Sequence, residues 1–411
     1  MVIREDLIDE VIKILDELAD FGRDDQNGVT RLLYDSNWKK AQRYLEDKFR
    51  EKGLVTFNDE VGNLFGHLPG SSDETILTGS HIDTVVSGGK LDGQYGIAAG
   101  LVAIAYLNSV FGQPKKSLEV VSMAEEEGSR FPFTFWGSKN IAGRVEPSEV
   151  IHLTDGEGNA FKDVMTDAGF RFKDEGPPRE DIKAFIELHI EQGGVLESED
   201  VPIGLVEHIV GQNRSFITLE GQANHAGTTP MSYRRDALYA SARIIESINA
   251  RAKAYGDPLV ATVGMLQVYP NTSNVVPAKV QFSLDVRHTD GEVILQFAED
   301  VRNLVEATAS ELGMEAHIEN YMSSKPVPMC QKLVALIRER FDRQGIPYRM
   351  MHSGAGHDAQ IMADRFSTAM IFVPSHLGIS HNPAEYTAPE HLAQGLRALI
   401  ESLYALAYLD A

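Results

Sequence analysis

Residues 97–111, IAAGLVAIAYLNSVF, carry apolar side chains on nearly every face of a helix, and such a helix is stable only where both of its sides are covered. Short apolar runs broken by turn residues flank it: VGNLFGHLPG and TILTGSHIDTV before, SLEVVSM after. These read as strands. Strands alternating with a helix of this kind predict an α/β sheet, in which the loops beyond the strand ends carry the chemistry. The N-terminal MVIREDLIDEVIKIL has acids between its apolar positions and no small-residue cleavage site after it, so it predicts an amphipathic domain helix and not a targeting segment. No uninterrupted apolar stretch approaches the roughly 18 residues of a membrane span.

The pattern changes near Gly211. SFITLEG, a long helix over about 235–255, VATVGMLQV, KVQFSLDVRH, a second helix over about 291–312 and AHIENYM follow one another as strand, helix, strand, strand, helix, strand. That order predicts a split two-layer α+β unit of the ferredoxin-like type, inserted into the first. The expected division is residues 1–211 with 325–411 for the outer unit and 212–324 for the insert. An IFVPS strand and a final helix from about Pro389 complete the outer unit.

With 38 Lys and Arg against 60 Asp and Glu, the formal charge of −22 repels phosphate backbones and anionic lipid, so neither nucleic acid nor membrane is an expected partner. An anionic small substrate would then need a local cationic pocket. The single cysteine, Cys330, cannot close an internal disulfide, which fits a reducing cytoplasm.

The chemistry concentrates in a few loops. GSHIDTVVSGGKLDGQYG places His81, Asp83 and Asp92 close together among glycines that permit tight turns. An imidazole and a carboxylate suit zinc or manganese, and Asp83 suits the outer role of orienting the imidazole. AEEEGSRF sets Glu125, Glu126 and Glu127 at the end of an apolar strand. Adjacent side chains there cannot all point one way, so one can hold metal while its neighbour faces substrate. Crowded buried carboxylates require cations to neutralise them. ELHIEQGG adds His189 and Gln192, and GISHNPAE adds His381. His67, His152, His208, His317 and His391 read as structural or solvated, and His357 and Asp358 of SGAGHD as structural or outer-shell.

Taken in order, HIDTV, LDGQYG, EEEGSRF, ELHIEQG, NHAGTTPM, NVVP, SGAGHD and ISHNPAE resemble, over nearly the whole chain, the amidase and carbamoylase branch of the two-metal aminoacylase and carboxypeptidase-like hydrolases. The wording is most similar to the ureide-degrading members of that branch, then to N-carbamoyl-L-amino acid hydrolases and β-ureidopropionases. The resemblance implies an aminopeptidase-like catalytic domain and an inserted dimerisation or lid domain. It also implies two divalent cations per subunit, manganese or zinc, with cobalt or nickel admissible. Asp92 would bridge them, with His81 and His189 on one metal and Glu127 and His381 on the other. Many peptidases of the wider superfamily have an acid where this chain has His189, which favours the amidase branch. Glu126 would be the general base and His225 the donor to the developing oxyanion, within the chain or across a homodimer. Gln192, Asn274 and Arg287 would contact a small anionic ureido substrate, Arg287 gripping its carboxylate. A non-catalytic metal-binding homologue is the alternative from another class, and retention of Glu126 beside all five ligands argues against it.

Overall fold

Lys116–Met123, Ser72–His81, Ile182–Ile190 and Ser367–Val373 lie side by side in that order, all parallel, at the centre of a nine-stranded sheet. Almost every residue in these strands is buried, whichever face it points to. That is why the sequence shows continuous apolar runs there and not alternation. The flanking strands Leu64–Leu68 and Gly204–Ile209 pair antiparallel. Residues 5–173 and 179–409 are described, in a computed structural model. They divide into two compact units: the chain up to Glu207 with the chain from Pro328, and His208–Val327 between them in sequence.

The helix Gln94–Phe111 packs on the parallel strands and is buried along most of its length. It meets the length and composition of a membrane span, with a mean hydropathy of 1.3 over 18 residues, so the sequence does contain one such run. Its apolar character is explained by core burial, since 67% of that window lies inside the protein. The N-terminal helix, Glu5–Ala19, buries Val11, Ile14, Leu15 and Leu18 on one side, as its amphipathic spacing predicts. The last helix, Pro389–Ala407, begins on the proline that is preorganised for its first turn.

The parallel register brings the functional loops to one edge. His81 pairs with Met123 at the ends of their strands, and His189 pairs with Phe372. Loops leaving the C-terminal ends of parallel strands border the usual crevice of an α/β sheet.

The second unit carries a five-stranded antiparallel sheet. Leu266–Tyr269, Lys279–His288, Gly211–Glu220 and Glu315–Ser324 lie in that order, with Val260–Thr262 also on Lys279–His288. Val280, Phe282, Leu284 and Val286 alternate onto the face covered by the helices Ala237–Tyr255 and Gly291–Glu311. The strand order is that of the split unit expected from the sequence. One element differs: VATVGMLQV is not a single strand. It breaks around Gly264, where the Ser283 hydroxyl accepts the Met265 amide at 3.1 Å in place of a regular ladder bond.

Gly79 sits mid-strand at φ +139°, where a Cβ would lie 2.0 Å from the Val121 carbonyl oxygen. Gly79→Ala is therefore expected to cost on the order of 3 kcal/mol through backbone strain and displacement of the adjoining strand. A thermal melt checks this; an unchanged Tm would show that the strands can part without cost.

Candidate metal centre

His81 ends its strand with its ring turned towards the loop that follows. Its Nδ1 lies 3.1 Å from the Asp83 carbonyl and 3.2 Å from Asp83 Oδ1, and Nε2 lies 3.4 Å from Asp92 Oδ1. His189 is built the same way, with Nδ1 2.9 Å from the Ile190 carbonyl and Nε2 3.2 Å from the same Asp92 oxygen. With Nδ1–H donated outward, each ring points Nε2 at Asp92, the orientation a metal ligand needs once Nε2 has lost its proton. The other Asp92 oxygen, Oδ2, faces His381 Nε2 at 3.2 Å, and His381 Nε2 lies 3.3 Å from Glu127 Oε1. One carboxylate thus addresses two donor sets, His81 with His189 and Glu127 with His381. Ligand atoms within each set, Asp92 included, lie within 4.8 Å of one another. The mixture of imidazole nitrogen and carboxylate oxygen fits two divalent cations of the zinc or manganese kind sharing Asp92.

The other two glutamates of the triplet diverge. Glu126 joins His81 and Glu127 in a further donor cluster. Glu125 is buried in the core, and neither carboxylate oxygen has a hydrogen-bond partner among the described residues. Burial, reinforced by Asp83 and Glu127, pushes Glu125 well above the carboxylate range, so it is held as the neutral acid. Burial and the neighbouring Glu127 also raise Glu126, which suits a group that must accept a proton near neutrality.

Asp83 occupies the outer position expected of it. Besides meeting His81, it accepts the backbone N–H groups of Glu126 at 2.9 Å and Glu127 at 3.1 Å, tying the acid loop to the histidine strand. Gly93 permits the close approach of the Asp92 loop: at φ +75° a Cβ there would fall 2.6 Å from His81 Nε2.

Sequence reasoning missed a collar around Asp92. Ser380 Oγ donates to Asp92 Oδ2 at 3.0 Å and lies 2.9 Å from Glu385 Oε2, while Glu385 Oε1 accepts the Leu91 and Asp92 amides. Both residues stand in the SHNPAE motif, and only its histidine had been singled out. Gln192 belongs to this collar too. Its amide nitrogen bonds Asp92 Oδ2 at 2.8 Å, and its buried Oε1 has no partner among the described residues, leaving an acceptor for a ligand N–H. His357 packs edge-on against His189 at 4.5 Å and Asp358 is buried nearby, as an outer shell would be. His67 instead bonds Glu119.

The remaining candidates lie on the second unit. A short pairing of Asn224–His225 with Val275–Val276 brings His225 and Asn274 together, the Asn274 carbonyl accepting the Ala226 amide at 2.9 Å. His225 Nδ1 accepts the Gly227 N–H at 3.0 Å, which leaves the ring proton on Nε2, available for donation. Arg287 forks onto Asp285, at 3.2 and 2.9 Å, so its planar donors already grip a carboxylate of this chain in the manner foreseen for a substrate.

Until metals bind, protons balance the charge of this centre. The carboxylates of Asp92 and Glu127 push His381 up to about 10, and His81 is held well above the usual imidazole range against the cost of burial. Both rings are then cationic at neutral pH and must lose a proton before a metal can bind. Metal loading near neutrality is therefore expected to release protons and to tighten as pH rises, measured by titrating the chelator-treated protein in weak buffer with a pH indicator. Uptake without proton release would mean that these imidazoles are already neutral.

Residues 77–405 match the profile of "Peptidase family M20/M25/M40". The chain is 51% identical to an allantoate amidohydrolase of Escherichia coli over 95% of its own length and 96% of that protein's. With an N-carbamoyl-L-amino acid amidohydrolase of Geobacillus stearothermophilus it shares 37% identity over the same fractions. Among solved structures, a hydantoinase/carbamoylase-family amidase of Burkholderia multivorans superposes with a TM-score of 0.93 at 35% identity, covering 98% of both chains.

Proposed function

Because the chain belongs to peptidase family M20/M25/M40, and to the amidohydrolases of non-peptide C–N bonds within it, we propose that it hydrolyses a ureido group of allantoate, yielding ureidoglycine, ammonia and carbon dioxide in the breakdown of purines. The observation that carries the hydrolytic reading is Asp92 addressing two donor sets with its two oxygens, beside a glutamate that belongs to neither pair. Allantoate ranks above N-carbamoyl amino acids because identity to the allantoate enzyme is higher over equal coverage.

Two divalent cations, manganese or zinc, supply when bound the positive charge that polarises a carbonyl and acidifies water. The chain's own residues do the rest. Glu126 takes a proton from the attacking water and returns it to the leaving nitrogen, the one that remains on the ureidoglycine carbon. The carbamate so released breaks down to ammonia and carbon dioxide. His225 donates Nε2–H to the oxygen that gains charge. Gln192 Oε1 accepts a ureido N–H, and Asn274 with Arg287 holds the substrate carboxylate, Arg287 exchanging its Asp285 partner for the substrate. The protein acts as a cytoplasmic homodimer through the inserted unit, a reading supported by the exposed apolar residues Met231, Tyr233, Tyr239 and Val260 there and by the lone cysteine.

The test is to strip the metals, restore manganese or zinc, and follow ammonia release from allantoate beside a panel of N-carbamoyl amino acids. Metal-dependent release from allantoate is expected; release confined to the panel would reassign the enzyme to the carbamoyl amino acids. Glu126→Gln is expected to lower kcat by about two orders of magnitude or more while metal content persists. Near-normal turnover would remove Glu126 from its role. Arg287→Lys is expected to raise KM about tenfold, since an ammonium cannot reproduce the fork. Mixed dimers of His225→Ala and Glu126→Gln subunits regain activity if His225 serves the partner's site, and stay inactive if it serves its own.

A further inference from the structure

Arg31 is completely buried in the first unit, and the chemistry above makes no use of it. Burying a guanidinium is costly unless its donors are met. Here they meet backbone carbonyls: Nε donates to Ile82 at 2.6 Å, and Nη1 to Leu18 at 2.8 Å and Phe21 at 3.3 Å. The main chain of the same residue grips the next position of that segment. Arg31 N–H donates to Thr84 Oγ1 at 2.9 Å, and the Thr84 amide donates to the Arg31 carbonyl at 3.0 Å. Ile82 and Thr84 are the two neighbours of Asp83, so one arginine holds the backbone on both sides of that aspartate.

Asp83 in turn is the junction of the centre. Its carboxylate faces His81 Nδ1 and accepts the amides of Glu126 and Glu127. A rotation of the Asp83 peptide would release the His81 tautomer and the aim of both glutamates together. We propose that Arg31 is a positioning residue for hydrolysis: by clamping Ile82 and Thr84 it fixes the Asp83 carboxylate, and through it the His81 ring and the Glu126–Glu127 turn. Electrostatics act in the same direction. Burial pushes the guanidinium down to about 10, opposed by the Asp83 and Asp35 carboxylates, so it stays charged at neutral pH and offsets the acids around Asp83. Lysine would keep the charge but has neither the fork nor the reach to three carbonyls.

The role rests on the hydrolase reading, so its test includes a signal that does not depend on turnover. Arg31→Lys, Arg31→Met, Asp83→Asn and the double variants are compared for melting temperature, metal content, kcat and KM. In parallel, the His81 Nδ1–H resonance of histidine-labelled, metal-free protein is recorded. Folded Arg31→Met is expected to lower kcat about a hundredfold with KM changed less than about threefold, and Arg31→Lys to recover part of the loss. Combining either with Asp83→Asn is expected to add less than about threefold to the loss from Asp83→Asn alone, because the arginine acts through that carboxylate. The His81 resonance is expected to broaden or vanish in both Arg31 variants. If Arg31→Met fails to fold, Arg31→Lys carries each comparison. Losses that multiply in the double variant, or an unchanged His81 resonance in a folded Arg31 variant, would overturn the assignment. A protein inactive on every ureido substrate would sink the hydrolase reading and leave the resonance test of the clamp intact.

Discussion

Acidic side chains crowd the C-terminal ends of the parallel strands, where Asp83, Asp92, Glu125, Glu127, Glu187 and Asp358 are all shielded from solvent. Water cannot screen them, so each negative charge has to be met individually. Asp83 is met by two amides and an imidazole, Asp92 by three imidazoles, and Glu187 by the Ser80 hydroxyl and the Ala359 amide. Glu125 and Asp358 are met by protonation, burial pushing Asp358 up to about 8. Glu127 is met by the same His381 Nε2 at 3.3 Å, and Glu126 lies beside His81 and Glu127. A gathering of carboxylates and imidazoles in which His81 and His189 already have Nδ1 bonded outward suits cations.

Everything behind that edge serves to hold it still. The loop of three glutamates follows the strand Lys116–Met123, and its first backbone carbonyl, that of Ala124, accepts the Trp38 indole N–H at 2.8 Å. Asn63 accepts the Ala124 amide at 2.8 Å and donates to the Gly137 carbonyl at 3.1 Å. The turn is thus pinned from helix and loop before any ligand binds, which spares the catalytic step the cost of ordering it. On the second unit the same economy appears in His225, whose proton is placed on Nε2 by one backbone amide.

Much of this was legible in the chain. The two units, the split α+β order and the place of Asp83 beside His81 follow from strand runs and loop glycines; the set of five candidate ligands follows only from the resemblance carried by the order of the motifs, and the structure brings those five residues together. The less visible parts share a physical cause. Ser380 and Glu385 stand in a motif noted for its histidine and Arg31 stands in none, and the importance of all three lies in atoms far away in sequence: Ser380 and Glu385 reach Asp92, Glu385 also the Leu91 amide, and Arg31 reaches Ile82. The sequence marks Gln192 as a substrate contact, whereas its hold on Asp92 depends on the fold. The break at Gly264 was hidden because a single serine hydroxyl, on another strand, makes it affordable.

The sequence by itself determined which residue types follow the strand ends, and its resemblance to a known branch of amidohydrolases implied a hydrolase whose imidazoles and carboxylates suit metal. Only the tertiary structure decided which oxygen of Asp92 faces which pair, which of three adjacent glutamates turns inward, and which nitrogen of each histidine faces Asp92. Those outcomes depend on the parallel register that sets His81 beside Met123 and His189 beside Phe372, and on hydrogen bonds closed across tens to hundreds of residues. Periodicity and motif spacing describe neighbours along the chain, whereas a proton's position on an imidazole is chosen by whatever the fold places opposite it.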